Sequence, residues 1–336
     1  MDAIILVGGQ GTRLRPLTTT RHKSLVPLLN KPAIDYLFDW LEGSGIERVM
    51  LALGQTNEDL AATYPAGKRG ALEIVPIIER ERLESGGAIR HAVRSAEIDG
   101  RFLVLNGDIY VDFDLQAAMT AHAEFNADLT LVLHEVEDPS AFGVAVTDGE
   151  GQVTGFVEKP PRGEAPSNLV NAGVWIFERG LVDEIPPGAV RVEETLFPSL
   201  VARRRRVLGY RFDGPWADMG TPQRYLAISR ELLGDHNALG EGVAVRAGAS
   251  VSGTSLGGGC TVGAGSQVGD SILWEGVAIG SDCRVERCIL ADGVVVGDGA
   301  QIEGVVAGKG ARIAAGTHPP AGTSIEAGAR YDGPHG

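Results

Sequence analysis

LVGGQGTRLRPLTTTRHKSLVPLLNK, residues 6–31, begins inside a short continuous apolar run that covers residues 3–7. A run of this kind is typical of a strand that is buried on both faces of a parallel sheet. Gly8, Gly9 and Gly11 follow it, and in the absence of side chains their backbone N–H groups can approach phosphate oxygens. Because open α/β sheets bind ligands at the carboxyl ends of their strands, the segment predicts an α/β fold with a phosphate site in this loop.

Positive charge follows the glycines in the same segment. Arg13 can form a fork of donors to phosphate, and Lys23 adds a mobile point charge. A glycine-rich turn alone is weak evidence, and an ordinary strand-to-loop turn is the alternative interpretation. Two other phosphate-binding loops are excluded, since Leu14 stands where the dinucleotide pattern needs glycine and the Gly-Lys-Ser/Thr of the P-loop is absent.

Apolar strand-like runs alternate with amphipathic helical patterns through about residue 233. The predicted strands are residues 49–53, 72–78, 102–105, 129–133, 143–147, 153–157 and 170–177, and the predicted helices are residues 34–41, 88–95, 115–125 and 222–233. This alternation predicts a Rossmann-like, doubly wound sheet that is mainly parallel, with mixed strand direction in its later part.

A repeat of 17 residues then occupies the rest of the chain. Its three apolar columns are Val245, Val262, Ile279, Val296 and Ile313; Val251, Val268, Val285 and Ile302; and Leu256, Leu273, Leu290 and Ala307. Three inward apolar positions per repeat describe one triangular coil of a parallel β-helix. We therefore predict a catalytic domain at residues 1–233, a linker at residues 234–241 and a β-helix at residues 242–330.

Composition limits the classes of partner and location. A formal net charge of −14 argues against nucleic acid. No apolar run reaches the roughly 18 residues of a membrane span. The first residues also lack the basic region followed by a hydrophobic core that is typical of a signal peptide. We therefore expect a cytoplasmic protein without a membrane partner. Cys260, Cys283 and Cys288 lack zinc-ligand spacing, and we expect reduced, packed thiols.

Asn106, Gly107 and Asp108 follow the predicted strand at residues 102–105. A carboxylate at the carboxyl end of a strand can hold Mg²⁺ together with substrate phosphates, although Asp108 could equally cap a turn. Asp112 and Asp114, four and six residues further on, are interpreted as caps of the helix predicted at residues 115–125.

Taken together, a series of segments resembles the sugar-1-phosphate nucleotidylyltransferases, which join a nucleoside triphosphate to a sugar 1-phosphate and release pyrophosphate. The matching segments are GGQGTRLRPLT at residues 8–18 with Lys23, SGGA at 85–88, NGD at 106–108, AFGV at 141–144, FVEKP at 156–160, NAG at 171–173 and WADMGTP at 216–222. Two departures are visible, because His22 stands where the family usually has proline and Glu84 where it usually has glycine.

The resemblance implies a role for each matching residue. It implies a nucleotide site made of Leu6, Gly8, Gly9, Gly11, Thr12, Arg13, Gly86, Gly87, Asn106 and Gly107. It implies a sugar-phosphate site made of Gly143, Glu158, Lys159, Asn171 and Gly173. It further implies catalytic roles for Arg13, Lys23 and Asp108, with Asp108 and Asp218 as Mg²⁺ ligands. It also implies that the β-helix is left-handed.

The implied reaction is transfer of a nucleotidyl group, and VEETLFPSL at residues 192–200 most resembles guanylyltransferases that use GTP and mannose 1-phosphate. Thymidylyl, uridylyl and heptose-phosphate guanylyl transfer stay open, as does a regulatory subunit that binds nucleotide sugars without turnover. Acyl transfer by the β-helix is disfavoured, since no histidine occurs among its coils before His318. We expect the β-helix to serve packing or assembly of a homo-oligomer.

Overall fold

The computed structural model describes residues 1–54 and 57–333 and divides the chain into two compact units. The sheet unit comprises Met1–Gly9 and Tyr36–Trp216, and the coil unit comprises Gln10–Asp35 with the chain from Ala217 onward. Residues 10–35, which the sequence pattern assigns to the first domain, therefore pack with the second. Within the coil unit, the Asn30 side chain donates to Leu256 O at 2.9 Å and the Tyr225 hydroxyl donates to Pro27 O.

The sheet unit contains a ten-stranded mixed sheet. Its strands are β1 (Asp2–Leu6), β2 (Arg48–Leu53), β3 (Gly67–Arg69), β4 (Leu72–Ile78), β5 (Phe102–Asn106), β6 (Leu129–Glu135), β7 (Gly143–Thr147), β8 (Val153–Glu158), β9 (Leu169–Phe177) and β10 (Val207–Arg211). The order is β8-β7-β9-β5-β1-β2-β4-β3, and β6 pairs with both β9 and β10.

Strands β5, β1, β2 and β4 are neighbours and run parallel. Ile4 and Ile5 in β1 and Leu103 and Val104 in β5 are fully buried, as the continuous apolar runs predict. The antiparallel strand β9 continues the sheet beyond β5. The predicted doubly wound mixed sheet is confirmed.

The helices are α1 (Ala33–Gly43), α2 (Glu58–Thr63), α3 (Glu84–Ser95), α4 (Leu115–Glu124), α5 (Leu196–Ala202) and α6 (Pro222–Leu233). Shorter elements are the 3₁₀ turns Thr12–Leu14, Leu17–Thr19, Lys23–Leu25, Pro139–Ala141 and Arg179–Glu184 and the strands Pro27–Leu28, Lys31–Pro32, Ile109–Val111 and Trp216–Asp218. Asp114 caps α4 by accepting a hydrogen bond from Ala117 N at 3.0 Å, as predicted, whereas Asp112 makes no such cap.

The sequence analysis missed α2, α5 and β10, for physical reasons. Helix α2 has only six residues, and α5 carries Pro198 inside a helix of seven residues, where proline normally argues against helix. Strand β10 contains Gly209, a residue that weakens strands in isolation. Its parallel pairing with β6 stabilises it, and that partner is distant in sequence.

The coil unit contains a parallel β-helix with three sheets. Six strands form the first (Ala238–Leu239, Ser255–Leu256, Ile272–Leu273, Ile289–Leu290, Val306–Ala307, Ser324–Ile325), six the second (Ala244–Val245, Thr261–Val262, Ala278–Ile279, Val295–Val296, Arg312–Ile313, Arg330–Tyr331) and four the third (Ser250–Ser252, Gln267–Gly269, Arg284–Glu286, Gln301–Glu303).

Each predicted column of the 17-residue repeat is a ladder of paired residues, for example Val262 with Ile279 and Ile279 with Val296. After Ile313 the register lengthens by one residue, since Ile313 pairs with Tyr331, 18 positions later. The strand Ala244–Val245 is the outermost of its sheet, and Val245 is 44% exposed whereas its successor Val262 is fully buried.

The three cysteines lie in the β-helix and are buried and free, as predicted. Burial raises the pKa of the Cys288 thiol to about 12, which suppresses its reactive thiolate form. No helix among residues 1–54 and 57–333 has the length and apolar character of a membrane span.

Gly263 tests the packing of successive coils. A Cβ there would overlap the Gly280 carbonyl and lie 2.6 Å from Ser281 N. Because backbone would have to move, we expect Gly263→Ala to destabilise the protein by about 1–3 kcal/mol and to lower its melting temperature. Gly258→Ala is the matched control, since its Cβ would meet only Glu241 O at 3.4 Å. Equal melting temperatures for the two variants would contradict this packing.

Candidate functional site

The carboxyl ends of β1, β2, β4 and β5 meet at one edge of the sheet, because these strands are parallel. Gly107 N donates to Leu6 O at 3.0 Å and Val7 N donates to Ala52 O at 3.1 Å. These bonds join the turn after β5 to the last residue of β1, and the first residue after β1 to strand β2. The structure thus brings together predicted site residues from two distant segments, Leu6 with Gly8 after β1, and the Asn106-Gly107-Asp108 turn after β5.

The start of helix α3 is hydrogen-bonded to residues 190–193. Gly86 N donates to Val190 O at 2.8 Å, and Val190 N donates to Leu83 O at 3.2 Å. The Ser85 hydroxyl donates to Glu193 Oε2 at 2.5 Å and accepts from Val192 N at 3.1 Å. The predicted nucleotide-binding glycines Gly86 and Gly87 are therefore buried in the first turn of a helix that is held in place.

Glu158 and Lys159, at the end of β8, form the centre of a charged cluster. Glu158 Oε1 lies 3.2 Å from Lys159 Nζ and 3.4 Å from Arg191 Nη2. Gly143 is paired with Glu158 across β7 and β8, and a Cβ on Gly143 would lie 2.6 Å from the Phe156 ring and 2.7 Å from Glu158 Oε2. Arg191 Nη1 also pairs with Glu194 Oε1 at 2.7 Å, so that two cations face two carboxylates. Lys159, whose side chain is 49% exposed, is the cation of this cluster that is most open to an anionic ligand.

Asn171 and Gly173 shape the middle of β9. Asn171 Oδ1 accepts from Gly173 N at 3.1 Å and from Trp175 Nε1 at 2.7 Å, and the ladder with β6 shifts register between Asn171 and Trp175. Gly173 has φ +76° and faces the Asn106 side chain. This irregularity brings the predicted sugar-contact residues close to the Asn106 turn after β5.

The remaining predicted residues, Gly9 aside, belong to the coil unit. Gly11 has φ +62°, and its carbonyl accepts from the Thr18 hydroxyl at 2.8 Å. Thr12 and Arg13 follow in a 3₁₀ turn. Lys23 begins another 3₁₀ turn, which His22 caps by accepting from Ser24 N at 3.2 Å through Nδ1.

This cap gives Ser24 N an acceptor at the start of the turn, and His22 stands where the resemblance leads us to expect proline.

Asp218 and Arg13 flank Gly220 in the coil unit. Asp218 Oδ1 accepts from Gly220 N at 2.7 Å, and its Oδ2 accepts from Arg224 Nη1 at 2.8 Å. A Cβ on Gly220 would lie 2.6 Å from Asp218 Oδ1 and 2.8 Å from Arg13 Nη2. The predicted metal ligand and the predicted phosphate-binding arginine therefore approach each other around this glycine.

Sequence reasoning missed three charged residues of the sheet unit. Arg191 contacts Glu158, Glu193 contacts Ser85, and Glu79 is buried directly after β4. Burial raises the pKa of the Glu79 carboxyl and of the Glu193 carboxyl. Of these three residues, only Glu79 could have been recognised from the sequence as a candidate site residue, because it follows an apolar run like the one before Gly8.

The profile of the nucleotidyl transferase family matches residues 2–234. The chain belongs to this family. Residues 225–318 match a second profile, the LbH domain of the EIF2B epsilon subunit, and the β-helix of this nucleotidyl transferase is left-handed, as the resemblance implied.

Two curated relatives illustrate the similarity. The mannose-1-phosphate guanylyltransferase of Mycobacterium tuberculosis is 37% identical over 69% of this chain and 65% of its own length. The UTP–glucose-1-phosphate uridylyltransferase of Synechocystis is 33% identical over 74% of this chain and 68% of its own length. The chain thus spans about two thirds of the length of these relatives.

Solved structures agree with the fold. HddC from Yersinia pseudotuberculosis, complexed with GMP-PN, superposes with a TM-score of 0.59 at 25% identity and covers 69% of this chain and 99% of its own.

Glu84 gives a test of backbone strain in this nucleotidyl transferase. It has φ +56° at the start of α3, where the family usually has glycine, and its side chain pairs with Arg82 at 2.8 Å. Glu84→Gly and Glu84→Ala both remove that pair, but only glycine relieves the left-handed backbone. We expect the glycine variant to be more stable than the alanine variant by about 1 kcal/mol in chemical denaturation. An alanine variant of equal or higher stability would show that the backbone is not strained here.

Proposed function

We propose that this nucleotidyl transferase joins GTP to mannose 1-phosphate and forms GDP-mannose and pyrophosphate. The observation that carries the proposal is the shared sheet edge, where the bond from Gly107 N to Leu6 O joins the Asp108 turn after β5 to the end of β1, from which the glycine loop continues. The half-exposed Lys159 beside Glu158 supports it, because an accessible ammonium next to a carboxylate suits the phosphate and the hydroxyls of the acceptor sugar.

The proposed mechanism is direct in-line attack of a sugar 1-phosphate oxygen on the α-phosphorus of the triphosphate. Phosphoryl chemistry of this kind depends on positioning and charge neutralisation, so the protein needs no nucleophile of its own. Arg13, Lys23 and the N–H groups of the glycine loop neutralise the triphosphate. Lys159 holds the acceptor phosphate, and Glu158 accepts hydrogen bonds from the sugar hydroxyls.

Asp108 and Asp218 are the residues that would hold Mg²⁺. Asp218 Oδ1 accepts a hydrogen bond from Gly220 N and Oδ2 accepts one from Arg224 Nη1, and a carboxylate oxygen can accept a hydrogen bond and coordinate a metal at the same time. Mg²⁺ uses one or two carboxylates and takes its other ligands from phosphates and water, so two aspartates would suffice to hold it. Bound Mg²⁺ would supply neutralisation of phosphate charge.

The choice of GTP and mannose 1-phosphate is supported by the guanylyltransferase names of several relatives and by GMP-PN in the HddC complex. Uridylyl transfer to glucose 1-phosphate is the second candidate, supported by the Synechocystis relative. The regulatory-subunit alternative is disfavoured, since Arg13, Lys23, Asp108, Lys159 and Asp218 are all present. A cytoplasmic location and homo-oligomer formation through the β-helix stay predictions.

Pyrophosphate release tests the proposal directly. Five nucleotides (GTP, dTTP, UTP, CTP and ATP) are crossed with mannose, glucose, N-acetylglucosamine and heptose 1-phosphates in the presence of Mg²⁺. We expect the highest kcat/KM for GTP with mannose 1-phosphate and loss of release when EDTA removes the metal. A different preferred pair of substrates would contradict the assigned specificity. Absence of pyrophosphate release by the folded protein with every pair would contradict nucleotidyl transfer.

Asp108→Asn tests the metal assignment. The substitution keeps the shape of the side chain but removes its charge, and we expect kcat to fall roughly 1000-fold or more with an unchanged melting temperature. Asp112→Asn is the matched control, since Asp112 is exposed on the same segment. Near-normal turnover of a folded Asp108→Asn protein would rule out Asp108 as a metal ligand.

A further inference from the structure

Arg21 is held by two residues of the β-helix. Arg21 Nη2 donates to Asp292 Oδ2 at 2.8 Å, and the guanidinium carbon lies 4.9 Å from the centre of the Trp274 ring. The pair is partly buried, because the Arg21 side chain is 29% exposed and the Asp292 side chain 17%. A guanidinium that is both ion-paired and stacked on an aromatic face has little freedom to move. The β-helix therefore fixes the position of Arg21.

The same tryptophan is connected to the chain on the other side of Lys23. Trp274 is 2% exposed, and its Nε1 donates to the Tyr225 hydroxyl at 3.2 Å. That hydroxyl in turn donates to Pro27 O. Arg21 and Pro27 flank the 3₁₀ turn that begins at Lys23. The turn is thus attached to Trp274 on both sides.

The β-helix gives these contacts a firm base. Trp274 and Asp292 follow neighbouring strands of its first sheet, Ile272–Leu273 and Ile289–Leu290. Trp274 N donates to Leu290 O at 2.8 Å, so the backbones of the two coils are joined where these residues stand. Backbone that is hydrogen-bonded over a buried core opens rarely. The two residues that hold Arg21 therefore keep a constant distance from each other.

Lys23 in turn supports the glycine loop. A Cβ on Gly11 would lie 2.9 Å from Lys23 Cβ, so the backbone of Gly11 packs directly on the lysine side chain. Arg13 follows Gly11 in a 3₁₀ turn. A displacement of Arg21 would therefore move Lys23 and, through Gly11, Arg13. These are the two cations proposed to neutralise the triphosphate.

We propose that Trp274 and Asp292 are positioning residues of the nucleotide site, which act through Arg21 and determine where Lys23 lies. The proposal rests on the proposed function and gives the β-helix a role in turnover by its own chain, in addition to packing or assembly. Neither residue contacts a substrate in this proposal.

Asp292→Asn tests the proposal, because it keeps the shape of the side chain and removes its charge. We expect kcat/KM for GTP to fall about 10-fold, since a small displacement of a group that neutralises charge is costly. KM for mannose 1-phosphate and the melting temperature should change little, because a partly exposed ion pair contributes little stability. Glu275→Gln is the matched control. Glu275 is exposed, stands at the same position one 17-residue repeat earlier, and its variant should keep the wild-type kcat/KM.

A double-mutant cycle with Lys23→Met separates positioning from a general loosening of the protein. If Asp292 acts through Lys23, Asp292→Asn should cost little once Lys23→Met has removed the ammonium group. Losses that multiply in the double variant would overturn the proposal, as would wild-type kcat/KM in Asp292→Asn alone. If Asp292→Asn does not fold, Arg21→Met removes the same ion pair and is measured in its place.

Binding of GTP with Mg²⁺ by calorimetry, without sugar phosphate, distinguishes failure of this proposal from failure of the proposed function. Weaker binding by Asp292→Asn than by the wild type, with no such difference in the Lys23→Met background, would support positioning even without turnover. Turnover with multiplying losses would support the reaction and overturn the positioning role. Because Lys23 is proposed to meet the triphosphate and not the base, UTP replaces GTP if the protein transfers uridylyl groups.

Discussion

Parallel pairing of β5, β1, β2 and β4 requires four strands to end at the same edge of the sheet. The central apolar residues of β5, β1 and β2 are buried on both faces, so the polar groups of the site follow the ends of these strands. Gly8 follows β1, Glu79 follows β4 and Asp108 follows β5. The position of the candidate site in the sheet unit therefore follows from the common direction of these strands. Residues that lie close to the carboxyl end of a strand can belong to this site.

The fold could be predicted to a large extent because its main patterns are local. Continuous apolar runs predicted the strands of the parallel core, and the 17-residue period predicted the ladders of the β-helix, such as Val262 with Ile279. The period could not predict the longer interval between Ile313 and Tyr331, because one extra residue in a turn leaves no periodic signal. Nor could it predict that residues 10–35 pack with the coil unit, since that depends on single contacts such as Asn30 with Leu256.

The residues of the candidate site could be predicted where they belong to a sequence motif. They could not be predicted where their role depends on contacts that only the folded chain forms. Glu158 and Lys159 stand in a recognisable segment, whereas Arg191 contributes through an ion pair with Glu158 that only the folded chain forms. Ser85 and Glu193 are 108 positions apart, and their hydrogen bond fastens the start of α3.

The central claim is a single direct transfer that relies on positioning and on no protein nucleophile. The stereochemical course at the α-phosphorus tests it most directly, with the Sp isomer of GTPαS and mannose 1-phosphate as substrates and ³¹P NMR to assign the configuration of the product. One in-line displacement predicts a thiophosphate analogue of GDP-mannose with inverted configuration at the α-phosphorus. Retention would reveal a double displacement through a covalent intermediate and would contradict the account.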